Sequence, residues 1–459
     1  MRVRAEIRSF SHRGEGAGIV VGASSDLSGI TVFVPGTVPG DLVEVQILEK
    51  KRNYARGKLL GVVREGPGRT REVCPVAGRC GGCAWQHLRY DVQLLWKQTI
   101  LKESLHRIGK SPECEVKATV PSPKVLGYRN KVEVPLQVQR GKVVAGFYEP
   151  YSHRVVPSDE CPLEHPLARE LVSALFVQVR KRAYSIYDEK TGKGLVRHLV
   201  ARIAPGTGER MGMLVATTAR LPGALELARE VMESVHGVKS MILNVNREMT
   251  NVILGNQWKL LAGRWYIEDV MSVGSAGSVR FRIGPGSFYQ VNTEQAQNLY
   301  EIALDACEIS PTDVVYDVYS GIGTMTLFAA KKARFCVGVE EVETSVMEAK
   351  VNARLNRINN VAFVAGKAER MLPSVIARFG RPGVVLLDPP RAGLAEDVVP
   401  VIVRSRPRAI VYVSCNPSTL SRDVARFKEF GYEAEWAIPV DMFPMTPHVE
   451  SVVKLKRKG

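Results

Sequence analysis

No apolar run in this 459-residue chain approaches eighteen residues, so no transmembrane helix is expected. The N-terminal stretch MRVRAEIRSF alternates like a strand and lacks the apolar core of a secretory signal, and a cytoplasmic protein is expected. Internal repeats and low-complexity segments are absent as well. Acidic residues are in deficit, with 47 Asp and Glu against 63 Lys and Arg, which favours a polyanionic partner, most simply nucleic acid. What is present fits a soluble globular protein: 45% hydrophobic and 24% charged residues, on a length that suggests two to four domains. Eight cysteines with no export signal argue for metal binding or catalysis over disulfides.

Residues 1–66 carry short alternating runs separated by Gly and Pro, such as GAGIVVGA and DLVEVQIL, and predict a small antiparallel β-barrel. Within it, EKKRNYARGK (49–58) interleaves Lys50, Lys51, Arg52, Arg56 and Lys58 with Tyr54; cations neutralise phosphates and an aromatic ring can stack on a base. Residues 67–280 form a central segment. It opens with a Cys-rich stretch and a helix at about 90–110 that can pack on the following domain, then turns mixed and strand-rich as an α+β domain. Residues 281–459 alternate strands and helices, which predicts βαβ units on a doubly wound, mostly parallel α/β sheet.

The strand–turn–helix stretch YDVYSGIGTMTLFAA (316–330) reads Asp317-x-x-x-Gly321-x-Gly323. Thr326 stands where a dinucleotide fingerprint needs its third glycine, so NAD is disfavoured. Glu340, nineteen residues after Gly321, ends the next strand, where a carboxylate can accept both hydroxyls of a ribose. An acid before the glycines and an acid ending the second strand form the pattern of S-adenosylmethionine methyltransferases. Asp388 ends the buried run GVVLL and opens DPPRAGL. Arg391 stands where amine-methylating enzymes carry an aromatic residue, which argues against exocyclic-amine methylation.

Cys415 closes the run AIVYVSC and precedes Asn416 and Pro417, where a strand cannot continue. Carboxyl ends of parallel strands form the ligand-binding rim, so Asp388, Cys415 and the cofactor site should share one edge. A thiolate there suits addition to carbon 6 of a pyrimidine, which makes carbon 5 nucleophilic; a base must then remove the carbon-5 proton. Glu450 at the start of the last strand is the candidate base, and period-two alternation predicts His448 on the same face.

The remaining chemistry lies in Cys74-x5-Cys80-x2-Cys83 and the distant Cys161. Four thiolates suit tetrahedral zinc or an iron–sulfur cluster. Three close ligands and a remote Cys161-Pro162 favour the cluster over paired zinc knuckles. The CxxxCxxC loop of radical chemistry is absent. Cys114, Cys307 and Cys336 have no partner at metal spacing and read as ordinary thiols.

Together, DVYSGIGT, DPPRAGL, YVSCNPSTLSRD, MFPMTPHVE and GSFYQVN resemble, over nearly the whole chain, the motifs of the RNA 5-methyluridine methyltransferases. The first 66 residues resemble a TRAM domain, a small RNA-binding barrel. The resemblance implies a class I S-adenosylmethionine methyltransferase domain, with Cys415 as nucleophile and Glu450 as proton-abstracting base. It implies cofactor contacts at Gln290, Tyr319, Glu340 and Asp388, and a [4Fe-4S] cluster on Cys74, Cys80, Cys83 and Cys161. The implied substrate is a uridine of RNA, 23S ribosomal RNA before transfer RNA, acted on by a monomer. Cytosine C5 methylation uses the same thiol addition, but those enzymes carry Pro-Cys or Thr-Cys in place of Ser414-Cys415. A rival of another class is a non-catalytic RNA-binding iron–sulfur protein. Met445 and Pro447 depart locally from the family, which often has an aromatic residue or a second His there.

Overall fold

The computed structural model describes residues 1–458 apart from 12, 22–26 and 28. Strands Arg2–Phe10, Gly16–Val21, Thr31–Val34, Leu42–Lys50 and Tyr54–Arg64 close into a barrel in the order first, second, third, fifth, fourth. Alternation builds it: Val3, Ala5 and Ile7 point inward and pack on Val32, Val43 and Val45. The barrel departs from the expected antiparallel scheme at one seam, where Thr31–Val34 runs parallel to Tyr54–Arg64. Its foot is fixed by buried Asp41, which accepts from the backbone N–H of Val38 (2.7 Å) and of Gly66 (2.8 Å) and pairs with Arg69.

All seven strands read from the C-terminal segment form one sheet. Its order is Val361–Ala365, Phe335–Glu340, Val314–Val318, Val384–Leu387, Ala409–Ser414, Glu450–Arg457, Tyr432–Val440. The first five are parallel, each followed by a covering helix, and the three inner ones, Val314–Val318, Val384–Leu387 and Ala409–Ser414, are buried along their whole length. The last strand instead runs antiparallel to Ala409–Ser414, with Ser414 opposite Ser451.

An eighth strand comes from far upstream: Glu115–Val116 pairs beside Trp436 and Ala437. The helix Tyr90–Arg107 precedes it and lays Leu101 and Leu105, both fully buried, into the same core as Tyr412, Phe427 and Leu455. Each such leucine contributes roughly 1.5–3 kcal/mol on burial. This helix therefore covers the catalytic sheet, not the central one. Lys97 on it forms a fully buried ion pair with Asp441 and donates to the carbonyl of Phe443 at 3.0 Å.

The rest of the central segment builds a seven-stranded sheet, from Lys131–Gln139 to Gln257–Gly263, with helices Pro166–Lys181 and Ala224–Ser234 on one face. Its other face joins the hairpin Ile267–Val273 and Gly277–Ile283 in a core continuous with the catalytic domain. The antiparallel expectation holds except between Glu209–Ala216 and Val238–Val245, which are parallel.

Candidate active site

The glycine-rich turn follows Val314–Val318 and starts the helix Thr324–Ala330. Gly323 has φ +85°, and a Cβ there would lie 3.0 Å from the Phe363 ring and 3.3 Å from Ala349, so a side chain would be both strained and crowded. Thr326, the departure from the dinucleotide pattern, is buried and donates its hydroxyl to Asp317 at 2.5 Å. Burial pushes the Asp317 carboxyl up to about 6. Glu340 closes the turn from the neighbouring strand, accepting from Gly321 N–H and Val342 N–H, both at 2.9 Å. Tyr319 takes a left-handed φ of +75°, which a non-glycine residue adopts only when its surroundings enforce it.

A small cavity opens at this turn, bounded by Tyr319, Ser320, Gly321, Thr324, Tyr300 and Asp388. Ser320 lines this cavity, and its buried hydroxyl has no hydrogen-bond partner among the described residues, which leaves a polar group free for a ligand. Gln290 lies on the loop entering the domain and is buried; its backbone carbonyl accepts from Asn130 Nδ2 at 2.8 Å. Tyr300 and Phe288 also border this cavity. Neither was singled out in the sequence: Tyr300 sits in an unremarkable amphipathic helix, and Phe288 is an exposed aromatic visible only once the loop is placed.

Cys415 sits one residue beyond the end of Ala409–Ser414, where Asn416 caps the helix Pro417–Glu429 by accepting from Ser418 N–H at 3.1 Å. Because Ser414 faces Ser451 across antiparallel strands, the next step of the register brings Cys415 opposite Glu450. Glu450 is buried, which corrects the ordinary expectation of an exposed charge at a strand end. Burial, with Asp388 close by, pushes its carboxyl up to about 8; burial, with Asp317 nearby, pushes Asp388 up to about 7. Burial raises the Cys415 thiol to about 11, Glu450 and Asp388 add to the rise, and Arg391 opposes it.

His448 does not share the face of Glu450. The strand begins only at Glu450, and His448 lies exposed in the preceding loop, edge-on to Phe443 with ring centroids 6.2 Å apart. Alternation had no strand to act on there. The loop itself is anchored from outside the domain: Trp85 N–H donates to the Met445 carbonyl at 3.0 Å, and Gln93 Oε1 accepts from Met445 N–H at 2.9 Å. Trp85 also donates through Nε1 to Gly14 of the barrel at 3.0 Å. A Cβ at Gly14 would lie 2.8 Å from that indole nitrogen and 2.9 Å from Pro447, so glycine is required where barrel, helix and loop meet.

Cys415 opens into a groove of about 750 Å³ that runs past Arg391 and His448 to Cys80 and Cys83, Tyr151 and the barrel residue Arg13. Cys74, Cys80, Cys83 and Cys161 line one adjoining cavity of about 320 Å³. Burial raises the Cys80 and Cys83 thiols, and Arg129 opposes the rise at both. Among the described residues, however, no three His, Cys, Asp or Glu side chains close on a single ion. Cys114, Cys307 and Cys336 are buried, as expected of ordinary thiols.

The basic hairpin of the barrel is only partly available. Lys51 pairs with Glu49 at 2.7 Å, Arg56 with Glu15 at 3.2 Å, and the Tyr54 ring packs edge-on against Phe33. If these cations touch phosphates, replacing Lys51 and Arg52 with Ala should reduce the slope of log affinity against log salt by about 2. Titration of RNA binding over a range of salt concentrations measures that slope; an unchanged one would put the nucleic acid elsewhere.

Residues 229–458 match the family model described as tRNA (Uracil-5-)-methyltransferase, which covers half of the chain. The chain belongs to this family. The tRNA (uracil-5-)-methyltransferase match is joined at the N-terminus by a TRAM domain match over residues 2–60, on the closed barrel. An uncharacterized RNA methyltransferase of Caldanaerobacter subterraneus subsp. tengcongensis is 41% identical over 99% of this chain and 98% of its own. Another, of Halalkalibacterium halodurans, is 38% identical over 100% of this chain and 97% of its own. Among solved structures, the Pyrococcus abyssi tRNA (uracil-54, C5)-methyltransferase in complex with S-adenosyl-L-homocysteine superposes with a TM-score of 0.77. It is 30% identical, and the match covers 98% of this chain and 100% of that one. The uracil-5-methyltransferase family thus supplies the activity: an S-adenosylmethionine-dependent RNA (uracil-5-)methyltransferase. The non-catalytic alternative is thereby set aside. Among the described residues, no helix is long and apolar enough to cross a membrane.

Proposed function

We propose that this enzyme methylates carbon 5 of a uridine through a covalent adduct of Cys415, with Glu450 removing the carbon-5 proton. One observation carries the reading: the thiol and a buried carboxyl end two neighbouring antiparallel strands on the rim that also holds Asp388. The Cys415 thiolate adds to carbon 6, and the displaced π electrons make carbon 5 nucleophilic. Bound S-adenosylmethionine supplies an electrophilic methyl sulfonium. Once carbon 5 is methylated, Glu450 takes its proton, the double bond re-forms, and the bond from Cys415 to carbon 6 breaks. Asp388 lies close enough to Glu450 to raise its proton affinity and faces the same cavity as Tyr319, which suits a group between cofactor and base. Tyr319, Glu340, Asp388 and Gln290 are our cofactor-binding set. The unpartnered Ser320 hydroxyl, on the lining of that cavity, supports the fit.

For the RNA, our reading is a uridine of 23S ribosomal RNA, supported by the combination of barrel and four cysteines. Transfer RNA is the second reading, favoured by the full-length likeness to the Pyrococcus abyssi enzyme, whose substrate is tRNA uracil-54. Mass-spectrometric mapping of 5-methyluridine in ribosomal and transfer RNA from a deletion strain decides between them: the RNA that loses the mark is the substrate. A cytoplasmic enzyme is our reading with either substrate.

The residues around Cys74, Cys80, Cys83 and Cys161 suit a [4Fe-4S] cluster, since four thiols share one cavity whose size exceeds that of a single ion. Such a cluster would crosslink the Cys-rich stretch to the central sheet beside the groove. Protein purified without air is expected to be brown and to contain about four irons per chain. Cys161→Ser should lose them, because the remaining three thiolates leave a position open. Iron analysis checks this; stoichiometric zinc without iron would overturn it.

A further inference from the structure

The Cys415 thiol faces a hostile setting. Burial, Glu450 and Asp388 all oppose a thiolate, and Arg391, which lines the same groove as Cys415, acts against them. Arg391 also opposes the rise at Glu450, so one guanidinium acts on both reacting groups. Its backbone is fixed at the rim: its carbonyl accepts from Asn416 Nδ2 at 3.0 Å and from Thr419 Oγ1 at 3.2 Å, while Arg422 holds Ala392 O at 3.0 Å. The loop carrying Arg391 is thereby tied to the helix that begins just after Cys415.

The side chain, by contrast, is exposed and has one polar side-chain partner, the Nδ1 of His448 at 3.2 Å. That contact constrains the histidine. A guanidinium has no acceptor, so the imidazole must be neutral and must accept. Its surroundings enforce neutrality. The ring stays open to solvent on one side, but its partial enclosure, together with Arg391, Lys97 and Arg129, lowers its pKa to about 4, and the Phe443 ring stands edge-on to it.

We propose that Arg391 is the residue that makes Cys415 a competent thiolate, and that neutral His448 is the positioning residue that aims its guanidinium. The assignment rests on Cys415 being the nucleophile. Arg391 stabilises the negative charge on sulfur before addition and keeps Glu450 ionisable for the later proton transfer. His448 touches neither reacting atom; it holds the arginine over the rim instead of letting it swing along the groove. The same groove would let Arg391 contact a phosphate of bound RNA, and the two roles differ in what they change.

The test reads the thiol directly, on full-length protein without RNA or S-adenosylmethionine. The rate of Cys415 alkylation by iodoacetamide is followed against pH by mass spectrometry of the Cys415 peptide. Arg391→Met should move the profile to higher pH and slow alkylation at neutral pH by about tenfold, the change produced by a one-unit rise in thiol pKa. His448→Leu should shift it in the same direction. His448→Gln, whose amide oxygen can still accept from Arg391, should restore the wild-type profile. Circular dichroism melting of each variant verifies that the fold persists. The proposal is overturned if Arg391→Met leaves the profile in place while weakening RNA binding, which would make Arg391 a phosphate contact. It is also overturned if His448→Gln and His448→Leu behave alike. Neither result touches the methylation activity of Cys415 itself, so failure here is distinct from failure of the nucleophile assignment, which Cys415→Ala tests.

Discussion

Glu450→Gln is expected to convert the enzyme from turnover to a trapped covalent protein–RNA complex. Thiol addition and methyl transfer need no proton from carbon 5, whereas elimination does. Glutamine fills nearly the same space but cannot act as a base at neutral pH. Labelled methyl should therefore migrate with the protein–RNA complex in a denaturing gel, with Cys415 on carbon 6 and both methyl and hydrogen on carbon 5. Normal turnover would make Glu450 a bystander; lost turnover without an adduct would move it to a step before methyl transfer. The same substitution should stabilise the fold at alkaline pH. Folding raises the Glu450 carboxyl from an ordinary value of about 4.3 to about 8. The stability that this shift contributes is complete below the unfolded value and is lost as pH rises through about 8. Glutamine carries no such titration, so its melting temperature should exceed that of wild type above that pH and approach it in acid. Wild-type activity should run the other way, rising with pH as the Glu450 carboxyl loses its proton through about 8.

Cys415→Ala is expected to reduce methylation to background while leaving S-adenosylmethionine affinity nearly unchanged. The thiol stands on the groove side of the rim, outside the cavity formed by Tyr319, Ser320 and Gly321. Wild-type protein should form a gel-stable adduct with 5-fluorouridine RNA, because fluorine cannot leave as a proton does, and the variant should form none. Equilibrium binding of labelled cofactor separates the two effects. Persistent methylation would transfer the nucleophile role elsewhere; lost cofactor binding would mean that the thiol supports the cavity itself.

The parts of this molecule that sequence made legible are those governed by local pattern. Four of the parallel strands announce themselves as apolar runs that carry, at or just past their carboxyl ends, a residue type that a buried strand would not choose: Asp317, Glu340, Asp388, Cys415. Such residues mark the ligand-binding rim because parallel strands end there together. What stayed hidden depends on contacts distant in the chain. The two-residue strand Glu115–Val116, which follows the helix Tyr90–Arg107 onto the catalytic sheet, is too short for any periodicity. The burial of Glu450 also escaped, since a strand-end carboxylate looks exposed until the antiparallel neighbour and the preceding loop enclose it. His448 was placed by extending alternation two residues past the start of a strand, where the backbone no longer obeys it.

The route by which Tyr90–Arg107 reaches the catalytic sheet has an engineering consequence. Residues 281–459 look like a self-contained cassette, but one face of their sheet is roofed by a helix encoded nearly two hundred residues earlier. The loop before Glu450 hangs from Trp85, Gln93 and Lys97 of the same upstream stretch. Cutting the chain ahead of the methyltransferase segment would leave Tyr412, Phe427 and Leu455 facing water and the loop before Glu450 without its suspension. Chimeras that exchange substrate preference between relatives should therefore carry the stretch from Trp85 to Val116 along with the catalytic half, as one inherited unit interrupted by an insertion.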